Sequence, residues 1–221
     1  TRPDTIVTLL AGSPVAMPWI DACQTLIWMS YAGMEGGTAW AEILQGKVNP
    51  SGHLPFSFPK SLEETGPHAL GTYGETSSTY AEKELTGYRY HLQTGIDPLF
   101  HFGAGLSYGT IEIVGAEARV EEDGLLVNAR LRCPRENPLL LRKALQVYVQ
   151  LPGYDYAVLK GLRKVTLFPG EVTDVAICIP MSALCQYDDG AGARVVPGGR
   201  YTVHVGFSAN ELVWTADLEI P

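Results

Sequence analysis

Residues 145–151 read Leu145-Gln146-Val147-Tyr148-Val149-Gln150-Leu151, with the aliphatic side chains at every second position. A period of two belongs to a strand with one face on a core and the other toward solvent. The rhythm extends in both directions. Upstream, Leu125, Val127, Ala129 and Leu131 alternate with Leu126, Asn128, Arg130 and Arg132. Downstream come Val175, Ile177 and Ile179, then Tyr201, Val203, Val205 and Phe207, then Trp214, Ala216, Leu218 and Ile220. Turn signals separate the runs: Glu122-Asp123-Gly124, Pro152-Gly153, Pro169-Gly170, Pro197-Gly198-Gly199 and Ala209-Asn210. Six or seven short strands between about residue 110 and the end predict an all-β sandwich. The cysteines lack the Cys…Trp…Cys spacing of an immunoglobulin domain, so the fibronectin type III-like version is favoured.

Residues 1–60 have another rhythm. Ile6-Val7-Thr8-Leu9-Leu10 and Leu26-Ile27-Trp28-Met29-Ser30 are short continuous apolar runs, as expected of parallel strands buried on both faces. A short helix is expected from Trp19 to about Thr25, after Pro18. A second is expected from Thr38 to Gln45, with Gly46 as its C-terminal stop. Strand, helix, strand, helix implies right-handed crossovers in a parallel sheet. Two strands are too few for a stable sheet, so this region is expected to be the end of a larger α/β domain. Residues 60–100 read as a long irregular loop, rich in Pro, Gly, Ser and Thr.

With 46% hydrophobic residues, the 221-residue chain can build one large core or two small ones. A formal charge of -8 argues against a nucleic-acid partner, which would need a basic face. No apolar run approaches the roughly 20 residues of a membrane span. The start, Thr1-Arg2-Pro3-Asp4, is neither an initiator Met nor a signal peptide and reads as a cut or processed end. Cys23, Cys133, Cys178 and Cys185 form no C-x-x-C pair. They are expected as free thiols, with a disulfide among Cys133, Cys178 and Cys185 as the alternative. The five histidines are scattered without i, i+4 pairing, so no metal ligand is assigned, and no cofactor is expected. A secreted or periplasmic location is favoured over a cytoplasmic one.

Several motifs stand in order along the chain. Tyr31-Ala32-Gly33-Met34-Glu35-Gly36-Gly37-Thr38-Ala39 precedes Asn49-Pro50-Ser51-Gly52-His53-Leu54-Pro55-Phe56-Ser57-Phe58-Pro59. Tyr80-x-Glu82 and Gly87-Tyr88-Arg89-Tyr90 follow, then Pro98-Leu99-Phe100-His101-Phe102-Gly103-Ala104-Gly105-Leu106-Ser107-Tyr108. Leu159-Lys160-Gly161-Leu162 and Leu167-Phe168-Pro169-Gly170-Glu171 complete the set. Together they resemble the C-terminal portion of glycoside hydrolase family 3, the β-glucosidase-like enzymes. Lys83 departs from the family's usual Gly, His101 from its usual Pro, and Arg135–Arg142 lacks a common N-T-G turn.

The resemblance implies that residues 1–109 end an α/β sandwich domain and that 110–221 form a fibronectin type III-like sandwich. It also implies retaining hydrolysis, with two carboxylates about 5–5.5 Å apart. One is an aspartate from a preceding barrel; the other is a glutamate from a loop earlier in the α/β domain. Neither matches a residue here, so no catalytic residue is assigned, and Glu35, Glu75, Glu82 and Glu84 are not read as a catalytic pair. Glu35, Tyr73 and Tyr80 are the candidates nearest substrate; Glu35 follows the second strand at its C-terminal end, where α/β sheets place sites. Trp28 reads as core. Gly33, Gly37, Asn49, Pro50, Gly52, Glu82, Gly87, Tyr88, Arg89, Phe102, Gly103 and Gly105 are motif residues with structural roles, Arg89 tying loop carbonyls or a buried carboxylate.

The expected activity is that of a retaining exo-acting β-glucosidase, with the rest of the same enzyme and a β-linked glycoside as partners. A β-xylosidase or other family 3 exo-glycosidase is the alternative within the class, and a non-catalytic carbohydrate- or protein-binding module the alternative outside it. Homo-oligomerisation is left open.

Overall fold

The computed structural model of the chain describes residues 2, 4–74 and 76–221, and Glu75 lies outside them. The chain forms two compact units. The first comprises residues up to Val48 together with Leu54–Phe102; the second comprises Asn49–His53 and Gly103–Pro221. The second unit thus takes in the short segment Asn49–His53 from within the α/β stretch.

In the first unit, strands β1 (Ile6–Leu9) and β2 (Thr25–Trp28) pair in parallel, with Ile6 opposite Thr25 and Leu9 opposite Trp28. They are half-exposed rather than buried on both faces, and Ile6 keeps 44% of its surface. Each has the other as its sheet neighbour among the described residues. The expected helix after Pro18 shrinks to a 3-10 turn at Ile20–Ala22, because Thr25 already belongs to β2. Helix α1 (Gly36–Leu44) starts two residues earlier than predicted and stops at Gly46, whose φ of +67° is left-handed. An aromatic cluster fills this unit: Phe56 lies edge-on to Trp28 at 5.1 Å and to Phe58 at 5.4 Å, and Phe58 lies edge-on to Phe100 at 5.9 Å. The Trp28 indole N–H donates to the Ala11 carbonyl at 2.8 Å.

The stretch 60–100 is less irregular than its composition suggests. It holds a 3-10 turn at Leu62–Glu64 and two short helices, α2 (Gly66–Ala69) and α3 (Tyr88–Thr94). Phe58 and Phe100 bridge its two ends through Phe58 N–H to Phe100 O at 2.8 Å.

The second unit is the expected sandwich. Its strands are β3 (Glu112–Glu121), β4 (Gly124–Arg132), β5 (Leu141–Gln150), β6 (Ala157–Leu167), β7 (Val172–Pro180), β8 (Gln186–Asp188), β9 (Ala193–Val195), β10 (Gly199–Ser208) and β11 (Glu211–Ile220). One sheet runs β11-β10-β5-β6 and the other β3-β4-β7, with β8-β9 a separate hairpin. Neighbours in both sheets are antiparallel. Leu125, Val127, Ala129 and Leu131 of β4 meet Leu145, Val147, Val149, Tyr201, Val203 and Val205 in the core, all at 1% exposure or less. Each such aliphatic burial is worth about 1.5–3 kcal/mol.

Four strands escaped the alternation reading: β3, β6 and the three-residue β8 and β9. In β3 the register slips between Ile113 and Gly115, and across β5–β6 it slips between Val147 and Tyr148; each bulge interrupts the two-residue period. The outer face of β5 also departs from expectation. Gln146 and Tyr148, read as solvent-facing, are 2% and 1% exposed.

Candidate functional site

Gly103 lies against Gln146 on that face of β5, and the segment Asn49–His53 is bound beside it. The segment is clasped by residues 103–108 and by β5, all within the second unit. Asn49 is buried, with its side-chain N–H donating to Ser107 Oγ at 2.8 Å and its carbonyl oxygen accepting the Tyr108 N–H at 2.9 Å. The Asn49 amide also donates to the carbonyl of Pro50 at 3.0 Å. At the other end, His53 Nδ1 stands 2.6 Å from the Gly103 carbonyl, and its Nε2 faces the Ala144 N–H of β5 at 3.0 Å. Gln146 Nε2 donates to Gly103 O and Phe207 O, and Gln146 Oε1 accepts from Tyr148 O–H at 2.6 Å.

The glycines of the motif follow from this packing. Gly103 has a φ of +81°, and a Cβ there would stand 2.5 Å from Gln146 Oε1. A Cβ on Gly105 would stand 2.3 Å from the carbonyl oxygen of Gly52. The order N-P-S-G…F-G-x-G-L-S-Y thus describes two backbone segments that meet at van der Waals range. His53, Gln146 and Ser107 were not singled out in the sequence. His53 stood at a variable motif position, and Gln146 looked like an ordinary outward residue of a strand.

Burial lowers the His53 imidazole below its ordinary pKa; the hydrogen bond to Gly103 opposes this, while Lys143 and Lys164 reinforce it. Lys143 is itself packed, its ammonium 3.9 Å from the Phe207 ring centre and 3.6 Å from Glu211.

The other motif residues belong to the first unit. Tyr88 stacks on Phe102 at 4.5 Å, and the Phe102 N–H donates to Ser57 Oγ. Arg89 donates to the Glu84 carbonyl at 3.3 Å, the loop tie expected of it. Gly87 opens α3 with φ +58°, Gly33 precedes α1 with φ +73°, and Gly37 lies inside α1. Lys83, where the resembling family has Gly, is held at φ +52°. Glu82 is 6% exposed, and its Oε2 has no hydrogen-bond partner among the described residues.

Glu35 occupies the N-cap position of α1, past the carboxyl end of β2, as an exposed side chain that makes no capping hydrogen bond. Ser30, in the left-handed region at φ +51°, turns the chain there. Tyr73 and Tyr80 are 64% and 78% exposed, on the loop closed by Thr79 N–H to Thr72 O. Tyr73 stacks on His68 at 4.9 Å. No hydrogen bond or ring contact joins Glu35 to either tyrosine among the described residues.

All four cysteines are free thiols. Among the described residues no cluster of three His, Cys, Asp or Glu is arranged for a metal, and no helix is long and apolar enough to cross a membrane. Tyr148 and Tyr201 of the sandwich are both buried and offer no exposed aromatic platform. A cavity of about 350 Å³ lies against Gln150, Tyr154, Arg200 and Thr202. Its donors are already engaged: Gln150 bonds Tyr154 O, and Arg200 and Thr202 bond Asp217.

Residues 1–108 match the glycosyl hydrolase family 3 C-terminal domain, and residues 143–209 match the fibronectin type III-like domain. A probable beta-glucosidase J of Emericella nidulans is 33% identical over 211 residues, covering 92% of this chain and 23% of that protein. The thermostable beta-glucosidase B of Acetivibrio thermocellus is 33% identical over 218 residues, covering 94% and 28%. The chain thus spans about a quarter of the length of such relatives. Among solved structures, the β-glucosidase DesR of Streptomyces venezuelae, in complex with D-glucose, superposes with a TM-score of 0.93 at 28% identity. That match covers 100% of this chain and 29% of DesR.

Proposed function

This chain belongs to glycoside hydrolase family 3, as its C-terminal portion, and from that premise we propose that it is the structural, cleft-supporting part of a retaining exo-acting β-glucosidase. The catalytic aspartate and glutamate lie in the remainder of the same enzyme, which is this chain's principal partner. The substrate is a glycoside with a terminal non-reducing β-D-glucosyl residue. The carrying observation is the ordered pair of domain matches, over a chain whose full-length relatives are named β-glucosidases.

The two units would divide the work. The first carries Glu35, Tyr73 and Tyr80, the residues we place nearest substrate, at or beyond the carboxyl end of β2. Retaining chemistry needs one carboxylate to attack the anomeric carbon and a second, about 5–5.5 Å away, to protonate the leaving oxygen. Neither role is assigned to a residue here. The half-exposed strands β1 and β2 are the surface we assign to that remainder.

The test is an assay of the pure 221-residue chain on an aryl β-glucoside, alongside the native mass of the protein purified from its source. The chain alone is expected to be inactive, and the native species to exceed 24.0 kDa and to hydrolyse the glucoside. Turnover by the pure chain would overturn the division of labour. Turnover of an aryl β-xyloside instead would change the sugar but leave the family reaction standing.

A further inference from the structure

His53 is held by two backbone groups of opposite polarity. Gly103 offers a carbonyl to Nδ1 at 2.6 Å, and Ala144 offers an N–H to Nε2 at 3.0 Å. A carbonyl can only accept and an N–H can only donate, so one protonation state satisfies both: Nδ1 carries the hydrogen and Nε2 keeps its lone pair. Adding a proton at Nε2 would set two N–H groups against each other.

The charged groups around the ring weigh the same way. Lys143 of β5 and Lys164 of β6 face it with positive charge, and Glu211 at the start of β11 opposes them with negative charge. Glu211 is already drawn to Lys143 at 3.6 Å. Lys164 reaches Ser51, inside the same clasped segment, at 3.4 Å.

We propose that His53 is an acid-released latch: neutral, it locks Asn49–His53 onto Gly103 and β5, and protonation of Nε2 frees that end of the segment. The proton comes from solvent, and the Ala144 N–H loses its acceptor. Asn49, which has no titrating group, keeps the other end attached to Ser107 and Tyr108. Acid therefore opens the clasp at one end and leaves the sandwich standing.

Because the folded state holds the ring below its unfolded-state pKa of about 6.5, the latch's contribution is complete above that pH. It is lost as the pH falls from there through the lower folded-state value. The latch rests on the fold of the second unit and stands whether or not the enzyme reading does.

The experiment is nuclear magnetic resonance on the full chain between pH 8 and pH 5. The imidazole nitrogen shifts at pH 8 should report hydrogen on Nδ1, and the ring should titrate below pH 6.5. The exchange protection of the Ala144 amide should fall by about tenfold or more over the titration, corrected for intrinsic rates. In His53→Gln, protection at Ala144 should be lower at every pH, with that acid-dependent step gone. Hydrogen on Nε2, titration at or above pH 6.5, or an equal acid step in the variant would each overturn the latch. The first two readouts need only the unmodified chain, so they stand even if the variant folds poorly.

Discussion

The sandwich buries apolar side chains at nearly every inward position of β4, β5 and β10, whereas the α/β unit buries Met17, Phe58 and Tyr90 and leaves Ile6, Leu10, Tyr31 and Met34 in solvent. The contrast extends to polar atoms. Among the described residues, the buried side-chain atoms without a hydrogen-bond partner, Thr8 Oγ1, Trp40 Nε1 and Glu82 Oε2, all lie in the α/β unit. The sandwich handles its buried polar groups differently: Gln146 and Asn49 are both fully engaged, and each holds two strands of chain together. A β-sandwich closes its core with its own two sheets, while a two-stranded parallel sheet cannot cover both of its faces. The α/β unit is thus the one that our proposal places against the rest of the enzyme.

The contrast can be tested by matched truncations, the largest effect first. Leu131→Ala removes a side chain with 0% exposure and should cost about 2–5 kcal/mol, read as lost amide protection across β3, β4 and β7. Ile6→Ala, the same kind of change at 44% exposure, should cost less than about 1 kcal/mol. Equal costs would mean that the two units are equally well packed. Next comes Gly103→Ala, which adds about 1–2 kcal/mol of left-handed strain and displaces Gln146. With the lost hydrogen bonds the total should reach about 2–3 kcal/mol in urea unfolding.

Thr8→Val tests the looser packing of the α/β unit from the other direction. It removes a buried hydroxyl that has no partner among the described residues, so the chain should gain about 1 kcal/mol in thermal unfolding. A loss of stability there would show that the hydroxyl is satisfied in solution. The smallest expected effect is at Lys83, held at φ +52°. Lys83→Gly should stabilise the α/β unit by about 0.5–1 kcal/mol, because the left-handed strain removed slightly exceeds the chain entropy that glycine adds. No gain would mean that the lysine side chain has compensating contacts.

Much of the sandwich was legible because alternation is local: Leu125 to Leu131 and Tyr201 to Phe207 announce a buried face without reference to anything else. The strands β3 and β6 were missed where bulges shift the period. Helix α1 was legible from Gly46 as its stop, and its start was misplaced by two residues. The candidate residues were legible as motifs but not as contacts. Asn49, Gly52, Gly103 and Gly105 were all marked, yet nothing in the order of residues says that Gly105 lies against Gly52.

The residue string settles whatever depends on neighbours along the chain: the two-residue period, the helix stop at Gly46, and the ordered motifs that identify the family. It leaves open whatever depends on segments far apart. Gln146 is an outward-facing strand residue by period and a buried one by structure, because a segment more than forty residues upstream covers that face of β5. The proton on His53 is decided in the same way, by a carbonyl and an N–H lying 50 and 91 residues further along. Side-chain direction follows from backbone geometry at one position, whereas burial and protonation follow from what the whole fold brings against it.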